Sequence, residues 1–297
     1  MRVREAGLAL AIAVASSTGK AADAPPAVDS ILWLVSNTMV VPDGDVMRHP
    51  ADELTRWLQA RLPAVAFQPT VANAERSWVL IRERRRACHA GAARTPERER
   101  LAYFTDTWLV PPPQLIVRRD RRAALPLDAN GAVDLKALLA DASLRGVLAQ
   151  GRSYGPALDA LIKAQPAGPQ VQHLFGGDYG SSLLPMLMQR RADYTLDYPN
   201  VLIAQASQPA DEQSGEPALA ALPIKGASEA IVSGIACPRT AWGHAAIRII
   251  DAALGTPEGA AMLRDTLRIS LPPDTQRAYL DVLDDHFNRR ARPTPGL

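Results

Sequence analysis

Gly151, Arg152, Ser153, Tyr154 and Gly155 form a G-x-S-x-G run between an apolar stretch, "RGVLAQ", and a helical pattern, "PALDALI". In serine hydrolases such a run lifts the serine hydroxyl onto a sharp strand-to-helix turn, where it can attack an acyl carbon. The nucleophile then needs an acid followed by a histidine downstream. Asp193 or Asp251, followed by His244 or His286, could supply them. Two features count against bond breaking: no HGGG-like oxyanion run precedes Ser153, and Pro156 directly follows the second glycine. The competing chemistry is anion binding. A helix start leaves N–H groups unbonded and carries partial positive charge, so Ser153 and its neighbouring amides could hold a carboxylate without any nucleophile.

A second cluster of chemically capable residues runs through "RERRRACHAGAARTPERER" and on to Asp120. Its arginines alternate with Glu83, Glu97 and Glu99, so Arg82, Arg84, Arg85 and Arg86 read as a solvated helix face with ion pairs. Cys88 beside His89 is the one close Cys/His pairing, and neither a CxxC nor an HExxH spacing occurs. No metal site and no cofactor are expected.

The elements that must position these residues lie in a chain of 297 residues, 47% hydrophobic and 22% charged, long enough for two lobes. Residues 1–21 read as a signal peptide: a basic start, the apolar run "LALAIAVASS", then small residues suited to cleavage. The expected location is therefore the periplasm, without membrane insertion, because the apolar run is far shorter than the about 20 residues a spanning helix needs. Removing the leader takes away Arg2, Arg4, Lys20 and Glu5, which leaves 30 basic and 30 acidic residues. A neutral mature chain argues against nucleic acid as a partner. Export also places Cys88 and Cys237 in an oxidising compartment, where a pair is expected to be bonded; two buried free thiols are the alternative.

Strands are expected at "SILWLVSNTMVV", "AVAFQPTVA", "ACHAGAA", "QLIVRR", "RGVLAQ", "ADYTLDYP" and "EAIVSGIAC". Helices are expected at "MRHPADELTRWLQARLP", after Asn73, over "VDLKALLAD", from Gly155 to Lys163, at "SSLLPMLMQRR" and over "AWGHAAIRIIDAALGTP", with a Gly-rich turn "FGGDYG" and two further helices at the end. Alternation of this kind implies an α/β class.

In order along the chain, "TPERERLAYFTDTW", "LIVRRD", "GRSYGPALDAL", "LLPMLMQRRADYTLDY" and "EAIVSGIACPRTAWG" resemble the landmarks of type II periplasmic solute-binding proteins of the polar amino acid branch. The resemblance implies two α/β lobes joined by two hinge crossings with a cleft between. The expected limits are 28–112 for the first part of lobe 1, 113–234 for lobe 2 and 235–297 for the return part of lobe 1. It implies binding of a small polar or anionic, amino-acid-like solute for delivery to a membrane transporter or sensor, and no enzymatic role. Arg98 falls on the T-x-x-R arginine that grips a carboxylate, and Arg152 and Ser153 fall on the facing anion loop. Asp197 or Tyr198 falls near the residue that reads an amine; Trp33 and Trp108 are pocket walls or core. The strands carrying Cys88 and Cys237 would be neighbours in lobe 1, which favours the bond. Thr105, Leu109 and the small residues Ala90, Gly91 and Ala93 depart from the pattern, so the resemblance leaves an amino acid as one candidate ligand among polar and anionic solutes.

Overall fold

The computed structural model describes residues 26–35, 41–43, 46–48, 50–165, 170–175, 183–202 and 218–297. The expected leader at 1–21 and the turn at 176–180 lie outside the described residues.

In chain order the strands are β1 (Ser30–Val35), β2 (Val41–Asp43), β3 (Val46–Arg48), β4 (Ala66–Val71), β5 (Ala87–Ala93), β6 (Ala102–Val110), β7 (Gln114–Arg118), β8 (Gly146–Ala149), β9 (Val171–Leu174), β10 (Tyr194–Asp197), β11 (Leu219–Leu222) and β12 (Ile231–Pro238). The helices are α1 (Pro50–Arg61), α2 (Ala74–Arg82), α3 (Pro96–Glu99), α4 (Leu135–Ala140), α5 (Pro156–Ala164), α6 (Leu183–Met188), α7 (Ala241–Leu254), α8 (Pro257–Ile269), α9 (Pro273–Ala278) and α10 (Leu280–Arg290).

Local chemistry explains many of these boundaries. Asn73 caps α2 by accepting from the Arg76 amide at 2.8 Å, and Thr240 caps α7 by accepting from the Gly243 amide at 2.9 Å. Trp242, Ala246, Ile247, Ile250 and Leu254 recur at helical spacing on α7, and all five are buried. Gly243 is required by close packing rather than by dihedral freedom: a β-carbon there would lie 1.9 Å from the Pro238 carbonyl oxygen.

Two sheets result. The first has the order β4-β1-β5-β12-β6, with β1 parallel to β4 and β5, and β12 antiparallel to β5 and β6. The second has the order β11-β7-β10-β8-β9. Leu115 and Val117 of β7 join one apolar cluster and Ile116 joins another, so this sheet buries both faces, as its alternating side chains require. The chain leaves the first sheet at the end of β6, crosses through Pro111, Pro112 and Pro113, and enters the second at β7. It returns between β11 and β12. At the end of that return, Ile231 of β12 pairs with Val110 at the end of β6.

Cys88 and Cys237 form a disulfide within the first sheet, with Cα atoms 4.4 Å apart. The bond ties β5 to β12, the antiparallel neighbours on either side of the long excursion through the second lobe. One strand goes beyond the sequence expectations, and one expectation is corrected. Residues 102–110 form β6, a strand that periodicity did not single out because the buried Thr105 and Thr107 interrupt its apolar pattern. Only Arg82 of the four arginines expected on a helix face belongs to α2. Arg84 has φ +56° and turns the chain, so Arg84, Arg85 and Arg86 lie in the exposed link to β5.

Candidate ligand-binding cleft

A cavity of about 130 Å³ lies between the lobes. The first lobe supplies Trp78, the β5 segment from His89 to Ala93, Arg98, Trp108 and Val110, and Leu267, Ser270 and Leu271 at the end of α8. Ile231 and Ser233 come from the return strand, and the second lobe supplies Arg152, Ser153, Tyr198 and Asn200.

Arg98 is presented by a single helical turn. Thr95 caps α3 by accepting from the Arg98 amide, Pro96 fits the first turn, and Arg94 is held by Glu99 at 2.6 Å and Asp106 at 2.7 Å. The Arg98 guanidinium donates from Nη1 to the Ala93 carbonyl at 3.0 Å, and from Nη2 to the Gly151 carbonyl of the facing lobe at 3.2 Å. It stacks over Trp78, with Cζ 4.8 Å from the ring centroid. Beneath it lies His89, 3% exposed, whose Nδ1 accepts from the Gly91 amide at 3.1 Å, so the ring proton sits on Nε2. Burial first, and the Arg98 charge second, push the His89 pKa down to about 3. At neutral pH this wall of the cleft therefore carries the charge of Arg98 and an uncharged imidazole.

That shift predicts acid sensitivity. A folded pKa below the ordinary 6.5 means that the unfolded chain binds more protons between the two values, so the contribution of neutral His89 is intact above about pH 6.5 and declines as pH falls toward 3. Stability should fall by up to about 1.4 kcal/mol per pH unit in that window from this group. Urea unfolding of His89→Asn, which keeps an acceptor for Gly91, should show a shallower acid slope than the unsubstituted protein. An identical slope would assign the acid sensitivity to other groups.

The second lobe presents the G-x-S-x-G run between β8 and α5. Gly151 has φ +74° and Gly155 has φ +94°, both in the left-handed region that glycine adopts without strain. Ser153 does not offer its hydroxyl to the cleft as an open donor. Its Oγ donates to the Asp159 carboxylate at 2.5 Å, and the Tyr154 amide donates to the other oxygen of Asp159 at 2.7 Å. The anion cradle expected at this helix start is thus occupied by a carboxylate from its own first turn, while Ser153 itself stands among the residues that line the cleft.

Asp197 is also engaged internally. It accepts from Arg152 Nη2 at 2.5 Å and from the Tyr198 amide at 2.7 Å, and it is 1% exposed. Arg152 in turn lies over the Tyr198 ring at 5.1 Å, and the Tyr198 hydroxyl donates to the Ser153 carbonyl at 3.0 Å. Burial is the main force that raises the Tyr198 pKa to about 12, which keeps that donor protonated. Tyr198 lines the cleft, whereas Asp197 sits behind it as the counterion of Arg152.

The two tryptophans separate. Trp108 lines the cleft while its Nε1 donates to the Leu263 carbonyl at 3.1 Å. Trp33 is fully buried, donates to Thr55 Oγ1 at 2.8 Å and packs edge-on against Phe67, so it is core and not a pocket wall. Sequence reasoning missed Trp78 and His89. The first lay on a helix whose apolar spacing read as packing, and the second lay on a strand of small residues.

The candidate hydrolase partners are elsewhere. Asp193 is held by Arg118, Arg121 and Arg145, and Asp251 is held by Arg290. His244 packs on Tyr103, and His286 bonds to the Thr107 carbonyl. None of these side chains contributes to the cleft wall formed by the described residues.

No protein-family model matches the chain, and no curated protein matches it at a significant level. Solved structures do match. An amino acid ABC transporter substrate-binding protein of Streptococcus pneumoniae bound to L-arginine superposes with a TM-score of 0.56 at 12% identity, over 82% of this chain and 97% of its own. A putative L-cystine ABC transporter protein of Listeria monocytogenes gives 0.59 at 17% identity, over 83% and 97%. The fold is that of a type II periplasmic binding protein. An ancestral arginine-binding protein bound to glutamine shares this fold with a TM-score of 0.59 at 14% identity, over 82% of this chain and 97% of its own. Identities this low establish the periplasmic binding protein fold and leave the ligand to be argued from the cleft.

Proposed function

We propose that the protein binds a small polar or anionic solute in the interlobe cleft and presents it, in the periplasm, to a membrane transporter or sensor. One observation carries this reading: the Arg98 guanidinium forms part of the cleft wall and reaches from the first lobe to a carbonyl of the second. A planar fork of donors suits a carboxylate, and a ligand seated there would bridge both lobes and favour their closure about the crossings. The amino acids named for the structural relatives support a solute of that size. The basic and apolar start of the sequence supports export through cleavage near residue 21. No helix among the described residues is long and apolar enough to cross a membrane. We place lobe 1 at 28–112 and from Ile231 onward, and lobe 2 between them.

Thermal denaturation with a panel of amino acids, carboxylates, sugars and polyamines tests the reading. A true ligand at about a hundredfold its Kd should stabilise the folded protein by about 2.7 kcal/mol and raise Tm accordingly. No shift with any solute would overturn the assignment. Ester hydrolysis that disappears in Ser153→Ala would replace it with the hydrolase reading.

A further inference from the structure

The charges around the cleft are one-sided. Among the described lining residues there is no aspartate or glutamate. The carboxylate expected to read an amine, Asp197, is buried behind Tyr198 and neutralises Arg152. An ammonium group entering the cleft would lose water and face the positive charge of Arg98 without a described anion to offset either effect.

The charged lining groups are donors. Arg98 only donates, and it lies over the ring face of Trp78. A guanidinium cannot accept a hydrogen bond, so Arg98 calls for an acceptor on the ligand. The helix start that could have held a second anionic group is already filled by Asp159, so it offers no seat for another carboxylate. Trp108, Val110, Ile231, Leu267 and Leu271 add apolar groups to the lining, suited to a hydrocarbon or aromatic body.

We infer that the cleft selects a small monocarboxylate with an apolar body and no ammonium group, in preference to the corresponding α-amino acid. The inference rests on the solute-binding reading above, because it treats the cleft as a ligand site.

Calorimetry on the mature chain with matched pairs tests it: 4-methylpentanoate against L-leucine, and 3-phenylpropanoate against L-phenylalanine. The deaminated acid of at least one pair should bind tenfold or more tightly than its amino acid. An amino acid that binds as well as its deaminated partner, or better, would overturn the inference and keep solute binding. Failure of all four compounds, with binding of another solute from the thermal panel, would also overturn only the inference. Absence of binding by every solute would overturn both.

Discussion

Arg98→Ala is expected to weaken binding of the best carboxylate by about 2–5 kcal/mol, the usual cost of removing one partner of a desolvated charge pair. The loss should be nearly specific to binding. Arg98 donates to two backbone carbonyls and lies over the face of Trp78 at the edge of a cleft, and none of these three groups becomes an uncompensated charge when the guanidinium is removed. Arg98→Lys keeps the charge but loses the planar fork and should recover only part of the affinity. Calorimetry, with circular dichroism to confirm folding, gives the answer. Unchanged affinity in a folded Ala variant would remove Arg98 from the ligand site.

Asp251→Ala is expected to lower stability by about 3–5 kcal/mol, because it strands a buried cation. Asp251 lies 3.2 Å from Arg290 Nη2, and both side chains are almost fully buried. The carboxylate also accepts from the Thr105 hydroxyl on β6, and from the amide and hydroxyl of Thr294 at 2.7 and 2.8 Å. Arg290 donates in turn to the Asp106 carbonyl at 2.7 Å. One group thus ties α7, β6 and the C-terminal segment together, away from the cleft. Urea unfolding should show the drop, and calorimetry should show affinity little changed. A loss below about 1 kcal/mol would mean that Arg290 finds another counterion or reaches water.

Much of the frame was legible because its signals are local. Asn73 announces α2, and the apolar spacing of "AWGHAAIRIIDAAL" announces α7, through interactions that span three or four residues. The T-x-x-R turn places Arg98 through the Thr95 cap only three residues away. The small residues of β5, the three prolines after β6 and the glycines around Ser153 likewise mark a strand, a crossing and a loop by their own backbone preferences.

What the tertiary structure alone decided depends on partners far along the chain. Thr105 and Thr107 are buried in β6 because Asp251, 146 residues away, and the Ser233 carbonyl, 126 residues away, accept their hydroxyl protons. Trp33 and Trp108 have the same chemistry, yet one is sealed beneath α1 and the other forms a cleft wall, a difference set by what packs on each. Asp197 could read an amine on sequence grounds, but Arg152, 45 residues earlier, folds against it and neutralises it. A carboxylate's role depends on which charge compensates it after burial. The sequence by itself determined the residue types, the caps and the turns; folding decided which charges were already spent inside the protein and which still faced the ligand.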